Sequence, residues 1–211
     1  MTTVTIIDYG ASNMYSVQAA FEYLGAKVEV TNNVKKIITS AKVVLPGVGA
    51  FSKGMQALTR GGIDDALKEI AKKGTPLLGI CLGMQMLYDS SMEFGLTTGL
   101  GLLGGEVKKI NEQENLSKRI KIPHIGWSDL HPLDMSWTNT ILDNLTIGAS
   151  SYFVHSYMAY PREKSQILAI SEYEGLQITA AVKEDNIYGC QFHPEKSGNI
   201  GLKILGNFLK L

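Results

Sequence analysis

Apolar residues along this chain keep two different rhythms, and the change between them divides the sequence near its middle. In the first half, short apolar runs alternate with helical patterns. Residues 4–7 are an apolar strand ending at Asp8-Tyr-Gly10, and Val17, Ala20, Phe21 and Leu24 follow at the spacing of one helix face. Residues 27–30 and 43–45 read as further strands. Ile63, Ala66, Leu67, Ile70 and Ala71 mark a second amphipathic helix, stopped by Gly74 and Pro76. Residues 77–80 form another strand, and a helix is expected to open over 84–88. From about Gly99 the pattern turns strand-rich, with β character at 104–110, 119–122, 152–159, 167–173, 176–182 and 187–192. A closing helix carries Ile200, Ile204, Leu205 and Phe208. Strand–helix alternation predicts an α/β fold: a mostly parallel open sheet flanked by helices, with antiparallel strands at one edge.

The 211 residues suit a single domain spanning 1–211, and 45% hydrophobic residues suffice for a real core. Twenty basic and twenty acidic side chains cancel, and no basic run clusters, so neither nucleic acid nor an anionic membrane is an expected partner. The N-terminal run lacks a basic flank and meets an acid after a few apolar residues, the mark of a buried strand and not of a secretory leader. Residues 77–88 are the most apolar stretch, yet too short to span a bilayer. Two cysteines make no disulfide framework, so a cytoplasmic location is expected. Nothing has the spacing of a metal site.

Candidate chemistry concentrates at two places. In Gly79-Ile-Cys81-Leu-Gly83, a cysteine stands between a strand and a helix with glycine two residues away on each side. That is the pattern of a nucleophile elbow, where a sharp turn holds the nucleophile in strained backbone and bulkier neighbours would collide. A thiol at a helix N-terminus is favoured as thiolate, and the following N–H, that of Leu82, points to where an oxyanion develops. A free cysteine is more commonly buried filling; Cys190 gets that reading, as core strand. Near the C-terminus, His193-Pro-Glu195 follows a strand. A thiol attacking an amide needs a base that later acts as acid, and the base needs a carboxylate to orient it. His124, His131 and His155 lack such a neighbour and read as structural or surface residues.

Together, Gly79-Ile-Cys-Leu-Gly83 and His193-Pro-Glu195 resemble the triad of the class I glutamine amidotransferases, which have a flavodoxin-like sheet. Ile7-Asp-Tyr-Gly10, Leu45-Pro-Gly-Val-Gly-Ala-Phe51, Pro123-His-Ile-Gly-Trp127, Tyr152-Phe-Val-His-Ser-Tyr157 and His193-Pro-Glu-Lys-Ser197 extend the likeness along the whole chain. Within the family it is most similar to the glutaminase subunits of imidazole glycerol phosphate synthase. The resemblance implies a Cys81, His193, Glu195 triad that hydrolyses L-glutamine without a cofactor. It implies oxyanion donors at Leu82, Val48 and Gly49, and substrate contacts from Gln85, Glu93, Ser156 and Tyr157. It also implies that Asn13, Pro123, His124, Trp127, Tyr152 and Lys196 dock a synthase subunit, a (β/α)8 barrel that receives the ammonia. Two departures from the family pattern, Ala11-Ser12 before Asn13 and Ser128 after Trp127, lie on that docking surface and leave the triad untouched. They keep open a paralogue serving a different synthase, such as one for a surface-polysaccharide sugar. A silent scaffold on the same fold and a free-standing cysteine hydrolase are the readings from other classes.

Overall fold

The computed structural model describes residues 2–10, 14–112 and 120–211. The first half runs β1 (Thr3–Ile7), α1 (Met14–Tyr23), β2 (Lys27–Thr31), α2 (Val34–Ile38), β3 (Val43–Gly47), α3 (Phe51–Arg60), α4 (Ile63–Lys72), β4 (Leu77–Cys81) and α5 (Leu82–Met86). Local chemistry sets these boundaries. The Asn33 side chain accepts from the N–H groups of Lys35 and Lys36 and starts α2. Asp64 and Asp65 sit in the first turn of α4 and Lys72 in its last, each favourable to the helix dipole, while Ile63, Ala66, Leu67 and Ile70 are buried on one face.

The second half adds β5 (Tyr88–Ser91), β6 (Thr97–Thr98), β7 (Leu103–Lys109), β8 (His124–Leu130), β9 (Ala149–His155), β10 (Tyr157–Pro161), β11 (Ile167–Tyr173), β12 (Leu176–Glu184), β13 (Ile187–Cys190) and α6 (Gly198–Lys210). The main sheet has seven strands in the order β11-β12-β13-β4-β3-β1-β2. Pairing is parallel from β2 through β13, and β12 and β11 close the edge antiparallel, as the strand–helix rhythm predicts. One core packs on one face around Phe21, Phe153, Phe192 and Phe208. A second packs on the other around Phe51, Leu58, Leu67 and Tyr88.

Three local expectations need correction, and one helix went unread. The helix expected over 84–88 is the five-residue α5, and Tyr88 already belongs to β5. Gly99 lies against the Tyr88 carbonyl, and the N–H groups of Leu102 and Leu103 both donate to Leu87, so tertiary pairing overrides continued helix. Residues 120–122 of the expected 119–122 strand are not extended into a sheet; the strand begins at His124. The 152–159 run is two strands broken at Ser156. Finally, α3 was hidden by Gly54, which reads as a breaker but is needed because a Cβ there would lie 2.7 Å from Met86 Sδ.

The parallel register gathers the site. Gly47 pairs with Cys81, and Cys190 with Ile80, so β3, β4 and β13 end side by side at one edge. The elbow glycines serve the same end: a Cβ on Gly83 would lie 1.8 Å from the Leu45 carbonyl oxygen, and one on Gly79 would lie 2.7 Å from the backbone of Met84. Helix α5 therefore rests directly on strand backbone. Gly83→Ala is expected to cost more than about 3 kcal/mol in denaturant titration, because backbone and not a flexible side chain must yield. Gly206→Ala in α6, where the nearest atom is Leu24 Cδ2 at 3.8 Å, is expected to be neutral or to gain about 0.5–1 kcal/mol. Equal effects of the two substitutions would contradict this packing.

Candidate active site

Beyond the carboxyl edge of β3, β4 and β13 lies a cavity of about 370 Å³. Its wall includes Val48, Gly49, Cys81, Leu82, Gln85, Glu93, Ser156, Tyr157 and His193. Sequence reading thus named residues from five separate segments that share one cavity. Pro123, Val154 and His155 complete the lining.

Cys81 ends β4 with φ 54° and ψ −111°, a region that L-residues avoid and that is held here by the packing of α5. His193 leaves β13 and is followed by a 3₁₀ turn over Pro194–Lys196 with proline in its first turn. His193 Nδ1 lies 2.8 Å from Glu195 Oε1, and both side chains are almost fully buried. His193 also hydrogen-bonds to Cys81. Burial works against a charged imidazole, but the bonds and charges of Cys81 and Glu195 outweigh it and hold the His193 pKa up at about 10. The arrangement brings a thiol, an imidazole and a carboxylate together, with imidazolium the favoured form in the neutral range.

The loop carrying His193 is tied to β9 by two bonds and closed on itself by a third. The His193 N–H donates to the Tyr152 carbonyl at 2.9 Å, the Tyr152 N–H donates to Ser197 Oγ at 3.0 Å, and Ser197 O–H donates to the His193 carbonyl at 2.7 Å. On the opposite wall, Glu93 Oε2 accepts from the Phe51 N–H at 2.6 Å and so starts α3, which has no capping side chain of its own at Ala50. Tyr9 O–H donates to the Pro46 carbonyl at 2.9 Å, and burial, with the nearby Cys81, drives its phenol well above the usual range. The phenol buttresses the strand just before Val48 and Gly49. Gly49 has φ +98°, a conformation that glycine adopts without strain.

The expected docking residues divide. Trp127 is 57% exposed, lies opposite Tyr152 across the β8–β9 pair and meets its ring edge-on at 6.0 Å. Lys196 is exposed, and Pro123 is half-buried. Asn13 lies outside the described residues. His124 needs correction: at 1% exposure its side chain is unavailable to a partner. It stacks between Phe153 and Tyr173 and contacts His155, a residue without an expected role in the site. Their protonation follows from the partners. The Tyr157 carbonyl can only accept, so His155 Nδ1 carries hydrogen; His155 Nε2 then accepts from His124 Nδ1 at 3.0 Å, and His124 Nε2 accepts from Ser128 O–H at 3.0 Å. Ser128 thus faces inward as a donor to a buried histidine. Burial depresses His124 to about 4, and burial together with the charges of His124 and His193 depresses His155 to about 3 despite the Tyr157 bond.

Residues 5–211 match the family described as Glutamine amidotransferase class-I. The chain belongs to the class I glutamine amidotransferases. The imidazole glycerol phosphate synthase subunit HisH 1 of Legionella pneumophila (strain Lens) is 46% identical over 213 residues, covering 100% of both chains. The subunit HisH of Moorella thermoacetica is 43% identical, covering 100% of this chain and 96% of its own. Among solved structures, PurLQS from Thermotoga maritima superposes with a TM-score of 0.73 at 21% identity, covering 99% of this chain and 98% of that one; that likeness shows the shared fold.

In this glutamine amidotransferase one buried residue of the site escaped sequence reading. Gln191 is completely buried beside Cys81, and the available signal was a polar residue at the end of an otherwise apolar strand. No helix among the described residues is long and apolar enough to cross a membrane.

The histidines give stability a pH dependence of definite sign. The charged His193 stabilises fully below its ordinary value of 6.5, and that contribution is lost as pH rises towards 10. The neutral His124–His155 pair stabilises above 6.5 and is lost as pH falls towards 4 and 3. Thermal melts should therefore show a maximum near neutrality, with a flatter alkaline limb in His193→Asn and a flatter acid limb in His124→Gln. Unaltered limbs in both variants would contradict these assignments.

Proposed function

We propose that this protein is the glutaminase subunit of an imidazole glycerol phosphate synthase, a single amidotransferase domain that hydrolyses L-glutamine and delivers ammonia to a (β/α)8 cyclase subunit in histidine biosynthesis. The observation that carries the chemistry is that Cys81 and His193 share the wall of one cavity while the buried Glu195 carboxylate holds the His193 ring from behind at 2.8 Å. Full-length relatives at 43–46% identity named for imidazole glycerol phosphate synthase support the pathway.

The chemistry follows from the groups present. The Cys81 thiolate attacks the side-chain amide carbon of glutamine, and negative charge develops on its oxygen within reach of the Leu82 N–H and of the Val48–Gly49 peptide. His193 gives its proton to the departing ammonia, leaving a γ-glutamyl thioester. Water then attacks, its proton passes to His193, and the carbon–sulfur electrons return to sulfur as glutamate leaves. Glu195 keeps the imidazole in register. Glu93 offers its second oxygen to the substrate ammonium, and Gln85, Ser156 and Tyr157 fix the amino-acid end. No cofactor takes part in these steps.

Free ammonia is protonated in water and lost to the acceptor, so hydrolysis without a waiting acceptor is wasteful. The site has a route for coupling. Trp127 is exposed beside Tyr152, whose backbone is bonded through Ser197 to the His193 loop, and the exposed Lys196 belongs to that loop. At the other wall, the Val48–Gly49 peptide can turn at low cost because glycine lies on both sides of Val48. A partner that binds the turned form better shifts the equilibrium towards it. The competing acceptor is a surface-polysaccharide sugar on a different synthase; of the two departures from the family pattern, the one at Ser12 favours it, whereas Ser128 is committed to His124.

Steady-state glutaminase assays test this reading. The subunit alone should turn over slowly, and acceptor-loaded cyclase should raise the rate roughly a hundred- to a thousand-fold, the effect of gaining one oxyanion donor. Trp127→Ala and Lys196→Ala should lose most of that gain. Full activity of the lone subunit, unchanged by any synthase, would mark a free-standing hydrolase. Activation by a sugar-modifying synthase and not by the cyclase would transfer the protein to the other pathway.

A further inference from the structure

We infer that Gln191 is a further catalytic residue: its side-chain amide donates to the Cys81 sulfur, and Gln85 holds it there, so that one chain of hydrogen bonds joins the substrate-binding wall to the nucleophile. The inference rests on the reading of the cavity as a glutaminase site and adds a group that this reading does not use.

Gln191 has no exposed surface, and its backbone is fixed by donation to the Ala180 carbonyl at 2.9 Å. A primary amide buried in this way is costly unless its polar atoms are matched. They are matched by functional groups. Gln191 Nε2 lies 3.8 Å from Cys81 Sγ, within donor range for sulfur, and Gln191 Oε1 accepts from Gln85 Nε2 at 2.9 Å. Gln85 Nε2 also donates to the Tyr157 carbonyl at 2.9 Å. An amide nitrogen has two hydrogens, and both are now assigned, which fixes the orientation of Gln85 and leaves its oxygen as an acceptor. Gln85 lines the cavity on the same wall set as Glu93, so an acceptor oxygen there suits a cationic ammonium.

The chain therefore has one direction. The ammonium of a bound amino acid donates to Gln85 Oε1, Gln85 donates to Gln191, and Gln191 donates to sulfur. Bonds aligned head to tail polarise one another, so an ammonium at one end strengthens the donor at the other. A donor holds an anionic sulfur more tightly than a neutral thioester. Gln191 then acts twice: it favours the reactive thiolate before attack, and it favours expulsion of that thiolate when water cleaves the thioester. It also makes the α-ammonium count in turnover and not only in binding.

Alkylation of the full-length protein by iodoacetamide, mapped to Cys81 by mass spectrometry from pH 5 to 9, reads the first effect without glutamine. Gln191→Met keeps the shape and removes the donor. It should slow alkylation near pH 6 by roughly five- to twenty-fold and move the rate profile upward in pH, the scale of one charge-assisted bond. Gln85→Met should move the profile the same way by less. Should Gln191→Met prove unfolded by its thermal melt, Gln191→Glu presents an acceptor in the same volume and should slow alkylation further. The second effect is read with 4-carbamoylbutanoate, which is glutamine without its α-amino group. In the wild type its kcat should fall well below that of glutamine, and in Gln191→Met the two should converge. An unchanged alkylation profile in the folded variants would reduce Gln191 to packing. A wild type with no glutaminase activity would instead strike the functional reading, with the alkylation shift still deciding the bond to sulfur.

Discussion

Gly83 of α5 lies so close to Leu45 of β3 that a single added carbon would overlap the carbonyl oxygen. That contact lets the chain turn from strand to helix within one residue and places the turn directly over its neighbouring strand. The strain at Cys81 is held by this packing and not by any local preference, since cysteine at φ 54° has nothing of its own to gain. Because β3, β4 and β13 are parallel and paired in register, the same edge receives the Val48–Gly49 peptide, the thiol and the His193 loop. The cavity is a consequence of three strands ending together.

A second constraint links this edge to the surface. Ser197 donates to the His193 carbonyl and accepts from the Tyr152 N–H, while Tyr152 accepts from the His193 N–H. The His193 loop is thereby bonded to a strand whose outer face carries the Trp127–Tyr152 ring pair. The inner face of the same pair holds His124 and His155, both neutral and both committed to a one-way set of hydrogen bonds ending at Tyr157. Displacement of β8 against β9 therefore acts on the cavity wall through His155, whose Nδ1 is bonded to the Tyr157 carbonyl.

Much of this was legible in residue order because the decisive groups sit in short motifs. The glycines around Cys81 announce a strained turn, and His193 two residues from Glu195 announces an orienting pair. What stayed hidden required contacts between distant segments. Gln191 reads as one more strand residue until its amide is seen beside Cys81, 110 positions away. His124 reads equally as a structural or a surface residue, and the resemblance puts it on the docking face; only the structure shows it buried against His155 across the β8–β9 pair. Gly54 conceals α3, since the reason for it is the thioether of Met86, 32 positions on. Local propensity also overstated α5, whose last turn yields to the pairing of Leu87 and Tyr88 with residues beyond Gly99.

The central claim is that Cys81, strained and paired with His193, is the nucleophile, and that Cys190 is core. Cys190 is fully buried, and burial together with the nearby Glu195 charge drives its thiol well above the ordinary range. The direct measurement is treatment of the full-length protein with a glutamine analogue carrying an electrophilic carbon in place of the amide, followed by peptide mapping. The account predicts one adduct per chain, on Cys81, with competing glutamine slowing its formation and His193→Asn nearly abolishing it. An adduct on Cys190, or labelling of Cys81 that neither glutamine nor the His193 substitution affects, would contradict it.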